Sequence, residues 1–420
     1  MDCVHIRGKK PLAGEVWVQG SKNAALPILT ATLLIPGKTV LHHCPQITDI
    51  DAMLALLSAL GCKVKQDGNT ITVDARTFHN TCCPRKHVKA MRSSLMLLGP
   101  LLGRCRRAVI YRPGGCVIGE RPVNLHEEAL KQMHVSFREE EDCMIAETDE
   151  LKGADVTLSF PSVGATENIV MAAVLAKGTT RLSGAAREPE ICQLCQFLIS
   201  AGAHIRGVGT SELEIEGVDS LHETTVTIRP DRIVAGTYLL AGVATRGTLL
   251  LRNAPTGQLT DLIALLRQMG AFLFADHDLI YLDGEKASRP VPYIETAVYP
   301  GFPTDLQSIL VSVLASAQGE SCVRETIFED RFKIVPELVK MGADIQTKNR
   351  TVCVRGTDCL KGAALQAQEL RGGAALIVAA LSARGDSTVR GYEFIRRGYE
   401  DIVRDFRCLG ADICLEDEDT

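Results

Sequence analysis

The stretch "KMGADI", residues 340–345, closes an apolar run of 3.6-residue period with a glycine and passes at once into strand-forming residues. A glycine just past a helical pattern supplies the left-handed turn that ends a helix, so the stretch reads as helix, stop and strand. The signature recurs as "ALGCKV" at 59–64, "SAGAHI" at 200–205, "QMGAFL" at 268–273 and "CLGADI" at 408–413. In "KQMHVSF", 131–137, it returns with His134 where the glycine would stand. Neighbouring copies lie about 70 residues apart, which marks six copies of one supersecondary unit, larger than a solenoid repeat.

Each signature is preceded by an amphipathic pattern, as in Ile50, Met53, Leu54, Leu57 and Leu60, and followed by alternating strand residues, as in "SELEIEGV". Earlier in every unit stands a second, almost continuously apolar helix: "GSKNAALPILTATLL", "AMRSSLMLLGPLL", "PSVGATENIVMAAVLA", "RPDRIVAGTYLLAGVA", "FPTDLQSILVSVLA" and "ELRGGAALIVAALS". A helix apolar all round belongs in a core, so these six are expected inside and the amphipathic six outside them. Val4-His5-Ile6-Arg7-Gly8 mirrors Val352-Cys353-Val354-Arg355-Gly356, while the sixth unit stops at "LGADICLEDEDT" without a second strand. Residues 1–19 are therefore expected to complete the sheet of the sixth repeat. This gives two three-repeat domains, 20–229 and 1–19 plus 230–420, crossed twice by the chain and expected to enclose an active site in a hinged cleft.

The 420 residues are 46% hydrophobic and 23% charged, with a net charge of −5. That mild acidity argues against nucleic acid or an anionic membrane as the main partner. No apolar segment is long enough to insert in a membrane, and the N-terminus lacks the apolar run of a signal peptide. An odd count of 15 cysteines without a secretion signal suggests reduced thiols in a cytoplasm, most of them core filler. Cys192 and Cys195 read as two positions of one amphipathic helix rather than a metal site.

Both helix starts in each repeat carry residues capable of chemistry. Lys22 and Asn23, Arg92, Ser162 with Gly164, Arg232, Asp305 and Arg371 stand at the starts of the apolar helices. Asp49 and Asp51, Arg121, Glu188 and Glu190, Arg331 and Arg397 lie about a dozen residues before the repeat signatures. Helix N-termini offer unpaired N–H groups and a partial positive charge, so recurring basic residues there oppose the dipole. Together they make a site for a ligand carrying several negative charges, such as phosphates and a carboxylate. In "RPGGCVIGERP", 112–122, Cys116 sits among three glycines and between two arginines, a composition that suits neither helix nor strand.

The segments "GSKNAALPIL", "MRSS…LGPLL", "PGGCVIGERPVNLH", "SVGAT", "AAREPE", "PDRI.AGTYL", "FPTDLQ", "FEDRF", "ELR" and "RRGYE" closely resemble, in order from residue 1 to about 413, the UDP-N-acetylglucosamine 1-carboxyvinyltransferase family of enolpyruvyl transferases. The resemblance implies an α/β fold, the two-domain inside-out α/β barrel of six repeats. It also implies transfer of the enolpyruvyl group of phosphoenolpyruvate to the 3′-hydroxyl of UDP-N-acetylglucosamine with release of phosphate, the first committed step of peptidoglycan synthesis in the bacterial cytoplasm. No cofactor, metal or nucleophilic triad is implied. By resemblance Lys22, Arg121 and Arg397 grip the phosphate of phosphoenolpyruvate, and Arg331, Arg371 and Arg397 lie near its carboxylate. Asn23, Thr304 and Asp305 face the amino sugar, with Asp305 the base at the 3′-hydroxyl. Arg92 and the Ile327 backbone make further nucleotide-sugar contacts. The stretch Arg121, Pro122, Val123, Asn124 and Leu125 resembles the uridine pocket, and Ser162, Val163 and Gly164 the diphosphate contacts. Cys116 resembles a mobile acid, open to alkylation by an epoxide such as fosfomycin, and Glu369 stands close to the reacting centre.

The chain departs from the family pattern, which has aspartate at 124, 369 and 396, by placing Asn124, Glu369 and Arg396 there. Glu369 keeps the charge on a side chain one methylene longer, and Arg396 reverses a charge beside Arg397. These departures leave open a slow or non-catalytic UDP-sugar-binding paralogue. The sister activity, 3-phosphoshikimate 1-carboxyvinyltransferase, shares fold and donor but is disfavoured by the Cys116 loop and the 121–125 stretch.

Overall fold

The glycine signature does in three dimensions what its sequence implies. In the computed structural model, which describes residues 2–83, 85, 92–111 and 123–417 (Arg92, Ser93 and Asp417 in their backbone only), Gly61, Gly202, Gly270, Gly342 and Gly410 all take φ between +85° and +106°. His134 occupies the same left-handed region at +67°, a conformation that histidine enters more readily than most side-chain-bearing residues.

Six inner helices form from the six apolar runs: α1 (Lys22–Ala31), α2 (Leu98–Cys105), α3 (Val163–Ala173), α4 (Arg232–Ala244), α5 (Thr304–Leu314) and α6 (Leu370–Ser382). Every residue of α6 is buried. The amphipathic helices bury one stripe only; Thr260–Met269 sinks Leu262, Ile263, Leu265, Leu266 and Met269 and leaves its other residues outside. In the fifth repeat the post-glycine hairpin pairs Asp344–Lys348 with Thr351–Arg355, which pairs in turn with Glu320–Arg324. The fourth strand, Tyr293–Glu295, comes from the end of the preceding repeat and runs parallel to Glu320–Arg324. The same rule closes the three-repeat unit on itself, because Thr224–Thr227 pairs in parallel with Lys38–His42 of the first repeat. Strand residues alternate between buried and exposed, as in Thr351–Arg355, so each sheet covers the helices with one face and meets solvent with the other. Among the described residues the six sheets remain separate, and none closes into a barrel of its own.

Asp2–Arg7 inserts between Asp386–Arg390 and Asp412–Asp417, antiparallel to both, and supplies the strand the sixth repeat lacks. The rest of 1–19 departs from the sequence expectation. Ala13–Trp17 pairs in parallel with Thr248–Arg252, in the sheet of the fourth repeat. Lys9 at φ +68° turns the chain, and the fully buried Leu12 anchors the new direction in the core. Among the described residues, one compact unit runs from Gly20 to Arg229, and the other joins the N-terminal stretch up to Gln19 with the chain from Pro230 onward. Each holds its own apolar core. No helix of the described residues is long and apolar enough to cross a membrane.

The expectation of reduced thiols needs correction at one pair of strand cysteines. Cys322 and Cys353 stand directly opposite one another on Glu320–Arg324 and Thr351–Arg355, their Cα atoms 4.1 Å apart, and form a disulfide. Two residues 31 apart in sequence are brought together by strand register, which composition cannot reveal. Closing a loop of that size removes about 3.7 kcal/mol of conformational freedom from the unfolded chain. Reductant is therefore expected to lower the midpoint of that unit by roughly 7–15 °C in calorimetric scans. A Cys322→Ser/Cys353→Ser variant should sit at the lower midpoint with or without reductant; identical scans of the parent chain in both conditions refute the bond's contribution. Other thiols behave as core filler: burial pushes Cys44, Cys62, Cys83 and Cys195 up to about 12. Cys192 and Cys195 do share one helix, Pro189–Ser200.

Candidate active site

In the unit that holds α5 and α6, the sequence-selected residues converge on one carboxylate. Asp305 is the second residue of α5, and its two oxygens take one arginine each. Arg331 Nη2 lies 2.5 Å from Oδ1, and Arg371 Nη2 lies 2.9 Å from Oδ2. Both guanidinium groups are almost wholly buried, with side-chain exposures of 3% and 4%, while Asp305 keeps 25%. Burial is the largest influence and lowers Arg371, but Asp305, Tyr399 and Asp231 together outweigh it and hold the guanidinium above its ordinary value. The set stays incomplete. Arg331 Nε and Arg371 Nη1 are buried N–H groups with no hydrogen-bond partner among the described residues. An unsatisfied buried donor is costly, and two arginines spending only part of their fork on Asp305 leave room for a second anion.

Glu369 caps α6, accepting from the backbone N–H groups of Arg371 and Gly372, and its Oε2 lies 3.7 Å from Arg331 Nη1. The longer side chain that replaces the family's aspartate thus still caps the helix. Asp231 does the same for α4, accepting from Ile233 and Val234, so the basic helix starts at Arg232 and Arg371 are each prefaced by an acid that satisfies the orphan N–H groups. Thr304 opens α5, and Ile327 and Arg331 share the connection that leaves Glu320–Arg324. Arg397 lies half-buried beyond the short helix Tyr392–Ile395, with Arg396 exposed beside it.

The other unit assembles a second set. Lys22 is the first residue of α1, and its Nζ lies 2.7 Å from Asp49 Oδ2, both side chains largely buried. Asn23 stands next to it. Arg92 begins the 3₁₀ turn that leads into α2. Ser162 caps α3 through its hydroxyl and the Ala165 N–H, 3.3 Å apart, so Val163 and Gly164 form the first turn with their amides turned outward along the axis. A side chain at Gly164 would meet His126 Cε1 at 3.2 Å, so glycine there lets the His126 ring pack against the backbone. Val123 holds the N-cap position of the helix Asn124–Gln132, on which Asn124 and Leu125 form the first turn. Cys116, Arg121 and Pro122 lie outside the described residues.

Residues 6–406 match the family model of EPSP synthase (3-phosphoshikimate 1-carboxyvinyltransferase). UDP-N-acetylglucosamine 1-carboxyvinyltransferase 2 of Caldanaerobacter subterraneus subsp. tengcongensis is 47% identical over 97% of this chain and 98% of its own. The chain belongs to the UDP-N-acetylglucosamine 1-carboxyvinyltransferase family. The crystal structure of the enolpyruvyl transferase NikO from Streptomyces tendae superposes with a TM-score of 0.88 at 26% identity, covering 99% of this chain and 98% of that one. The EPSP synthase of Acinetobacter baumannii, at 17% identity and a TM-score of 0.76 over 99% of this chain and 100% of its own, shares the fold. The fold of this carboxyvinyltransferase-family chain is thus the α/β enolpyruvyl transferase fold.

Sequence reasoning passed over three residues that build the site. His126 closes the quoted motif "PGGCVIGERPVNLH" yet received no role. It is buried behind Gly164, and burial drives its imidazole down to about 4, so it is neutral near pH 7. Asn168 on α3 donates to His126 Nδ1 at 2.9 Å and to Leu95 O at 3.0 Å, and accepts from Gly99 N–H at 2.6 Å. It thereby ties α3 to α2 and to the Asn124 helix. The third, Glu325, is wholly buried and accepts hydrogen bonds from the Ile327 and Phe328 backbone.

Proposed function

We propose that this protein transfers the enolpyruvyl group of phosphoenolpyruvate to the 3′-hydroxyl of UDP-N-acetylglucosamine, releasing phosphate, and so opens peptidoglycan synthesis in a bacterial cytoplasm, with cell shape and division depending on it. The observation that carries this reading is the pair of buried arginines on Asp305, each with an N–H group that has no partner among the described residues. An anion small enough to meet both guanidinium groups suits a carboxylate, and bidentate arginine is the usual partner for one. On this reading the carboxylate of phosphoenolpyruvate meets Arg331, Arg371 and Arg397, and its phosphate meets Lys22, Arg121 and Arg397. The nucleotide sugar draws on Asn23, Arg92, Val123, Asn124, Leu125, Ser162, Val163, Gly164, Thr304 and Ile327.

The reaction adds the acceptor hydroxyl across the donor double bond. The sugar oxygen bonds to C2, its proton passes to Asp305, and Cys116 gives a proton to C3. C3 then returns a proton, the C2–O bond to phosphate breaks, and the double bond is restored as phosphate leaves into its cationic cradle. Asp305 with both oxygens held by arginines is a poor base. Arrival of the donor carboxylate gives those arginines a second anion to share, and frees an oxygen of Asp305 for the hydroxyl. Base strength and donor binding are thus coupled through the same two side chains.

Phosphate release tests the reading. With phosphoenolpyruvate and UDP-N-acetylglucosamine, release is expected in proportion to product. Release with shikimate 3-phosphate in place of the UDP-sugar, or UDP-sugar binding without any release, overturns it.

A further inference from the structure

Glu325 is 0% exposed, lies in no helix, and gathers four donors on its two carboxylate oxygens. Oε1 accepts from the Thr296 hydroxyl at 3.0 Å, the Ile327 N–H at 2.8 Å and the Phe328 N–H at 3.0 Å. Oε2 accepts from the Thr304 hydroxyl at 2.9 Å. Two of these donors are backbone amides of the connection between Glu320–Arg324 and the helix Val335–Lys340, and a third is the first residue of α5. Thr296 reinforces the anchorage, its hydroxyl accepting from the Thr326 N–H at 2.9 Å and its carbonyl from the Thr326 hydroxyl at 2.5 Å. The Phe328 ring in turn stands 5.1 Å from the Arg331 guanidinium. One buried side chain therefore fixes the Ile327 backbone, the platform under Arg331 and the residue next to Asp305.

We propose that Glu325 is a positioning residue for the nucleotide-sugar acceptor: it locks Ile327 to the start of α5, so that the acceptor contact and the base Asp305 keep one register. The inference rests on the transferase reading above. With its N–H spent on Glu325, Ile327 presents its carbonyl, an acceptor suited to a hydroxyl or amide N–H of the sugar nucleotide. A buried group holding four donors is hard to replace, because an apolar side chain of the same length leaves all four unpaired.

The test compares Glu325→Met, Glu325→Gln and Thr304→Val. Calorimetry gives the Kd for UDP-N-acetylglucosamine of the folded fraction, and steady-state kinetics give KM for each substrate. Glu325→Met is expected to raise that Kd by about tenfold or more, the loss expected when hydrogen bonds to a charged group disappear. Glu325→Gln, which keeps an acceptor oxygen for the loop amides, should recover most of the affinity, and Thr304→Val should fall between them. A stabilising role alone lowers the unfolding midpoint and the stoichiometry of binding but leaves Kd at the parent value. If Glu325→Met does not fold, the Kd of Glu325→Gln carries the test: a value above that of the parent chain supports the inference and the parent value overturns it. Unchanged Kd in every folded variant overturns the inference while the parent chain still turns over. A parent chain that neither binds nor converts the UDP-sugar overturns the transferase reading and this inference with it.

Discussion

Cys116→Ala is expected to cut turnover by about 10²–10⁴-fold, the range that a positioned general acid contributes, while Cys116→Asp retains activity because a carboxyl group can also deliver a proton. In the sequence 112–122, Cys116 stands among glycines at 114, 115 and 119 and between Arg112 and Arg121. On the proposed reading, proton donation needs the thiol form, which the negative charge of bound phosphoenolpyruvate would favour. The same nucleophile should open an epoxide, its sulfur bonding to carbon as the C–O bond breaks and the released oxygen takes a proton. Fosfomycin is therefore expected to add once per chain, at Cys116, faster in the presence of UDP-N-acetylglucosamine, and to spare Cys116→Asp. The rest of the thiol inventory sharpens this expectation. Cys44, Cys62, Cys83 and Cys195 are pushed up to about 12 by burial and carry almost no thiolate near pH 7. Cys408 is exposed and serves as the control that a non-selective alkylator would mark. Mass spectrometry of labelled peptides reads the outcome: adducts spread over several cysteines, or a fully active Cys116→Ala, would sink the assignment.

The parts of the molecule that are legible in the sequence are those whose physics is local. A glycine after an amphipathic run predicts a left-handed stop, and Gly342 and Gly410 take it; an all-round apolar run predicts a buried helix, and α6 is one. The strand Asp2–Arg7 is readable because its pattern copies that of residues 352–356. What is not legible depends on partners distant along the chain. Ala13–Trp17 carries no local sign that it will pair with Thr248–Arg252 rather than extend the sixth sheet. Cys322 and Cys353 look like two strand thiols until the register sets them face to face. The site shows the same division. The charged types at helix starts are visible, but not that Asp231 and Glu369 act as caps beneath the arginines, since capping is a matter of backbone angle as well as composition. Glu325 is the hardest to find. In "RETIFEDRF" it is one acid among several charges, and only its burial separates it from a solvated loop residue.

Arg371→Ala is expected to weaken use of phosphoenolpyruvate by about 2–4 kcal/mol, roughly 30- to 1000-fold in kcat/KM for that substrate, while Kd for UDP-N-acetylglucosamine measured without the donor stays within about threefold. The asymmetry arises from what Arg371 touches. Its Nη2 holds Asp305 at 2.9 Å and its Nη1 is a buried donor with no partner among the described residues, so the substitution removes both a donor for the incoming carboxylate and the charge beside the base. A second effect separates this variant from one that merely loses binding. Asp305 keeps Arg331 on Oδ1 but loses the positive charge on Oδ2. A carboxylate with fewer positive neighbours protonates more readily, so the form that accepts the hydroxyl proton survives only at higher pH. The acid limb of the pH–rate profile, measured at saturating donor, should move upward in pH relative to the parent chain. Arg371→Lys restores the charge but not the planar fork, so it should bring the acid limb back while recovering only part of the donor affinity. Equal losses for both substrates, or an acid limb that stays in place in Arg371→Ala, would show that Arg371 serves the fold and not the reaction.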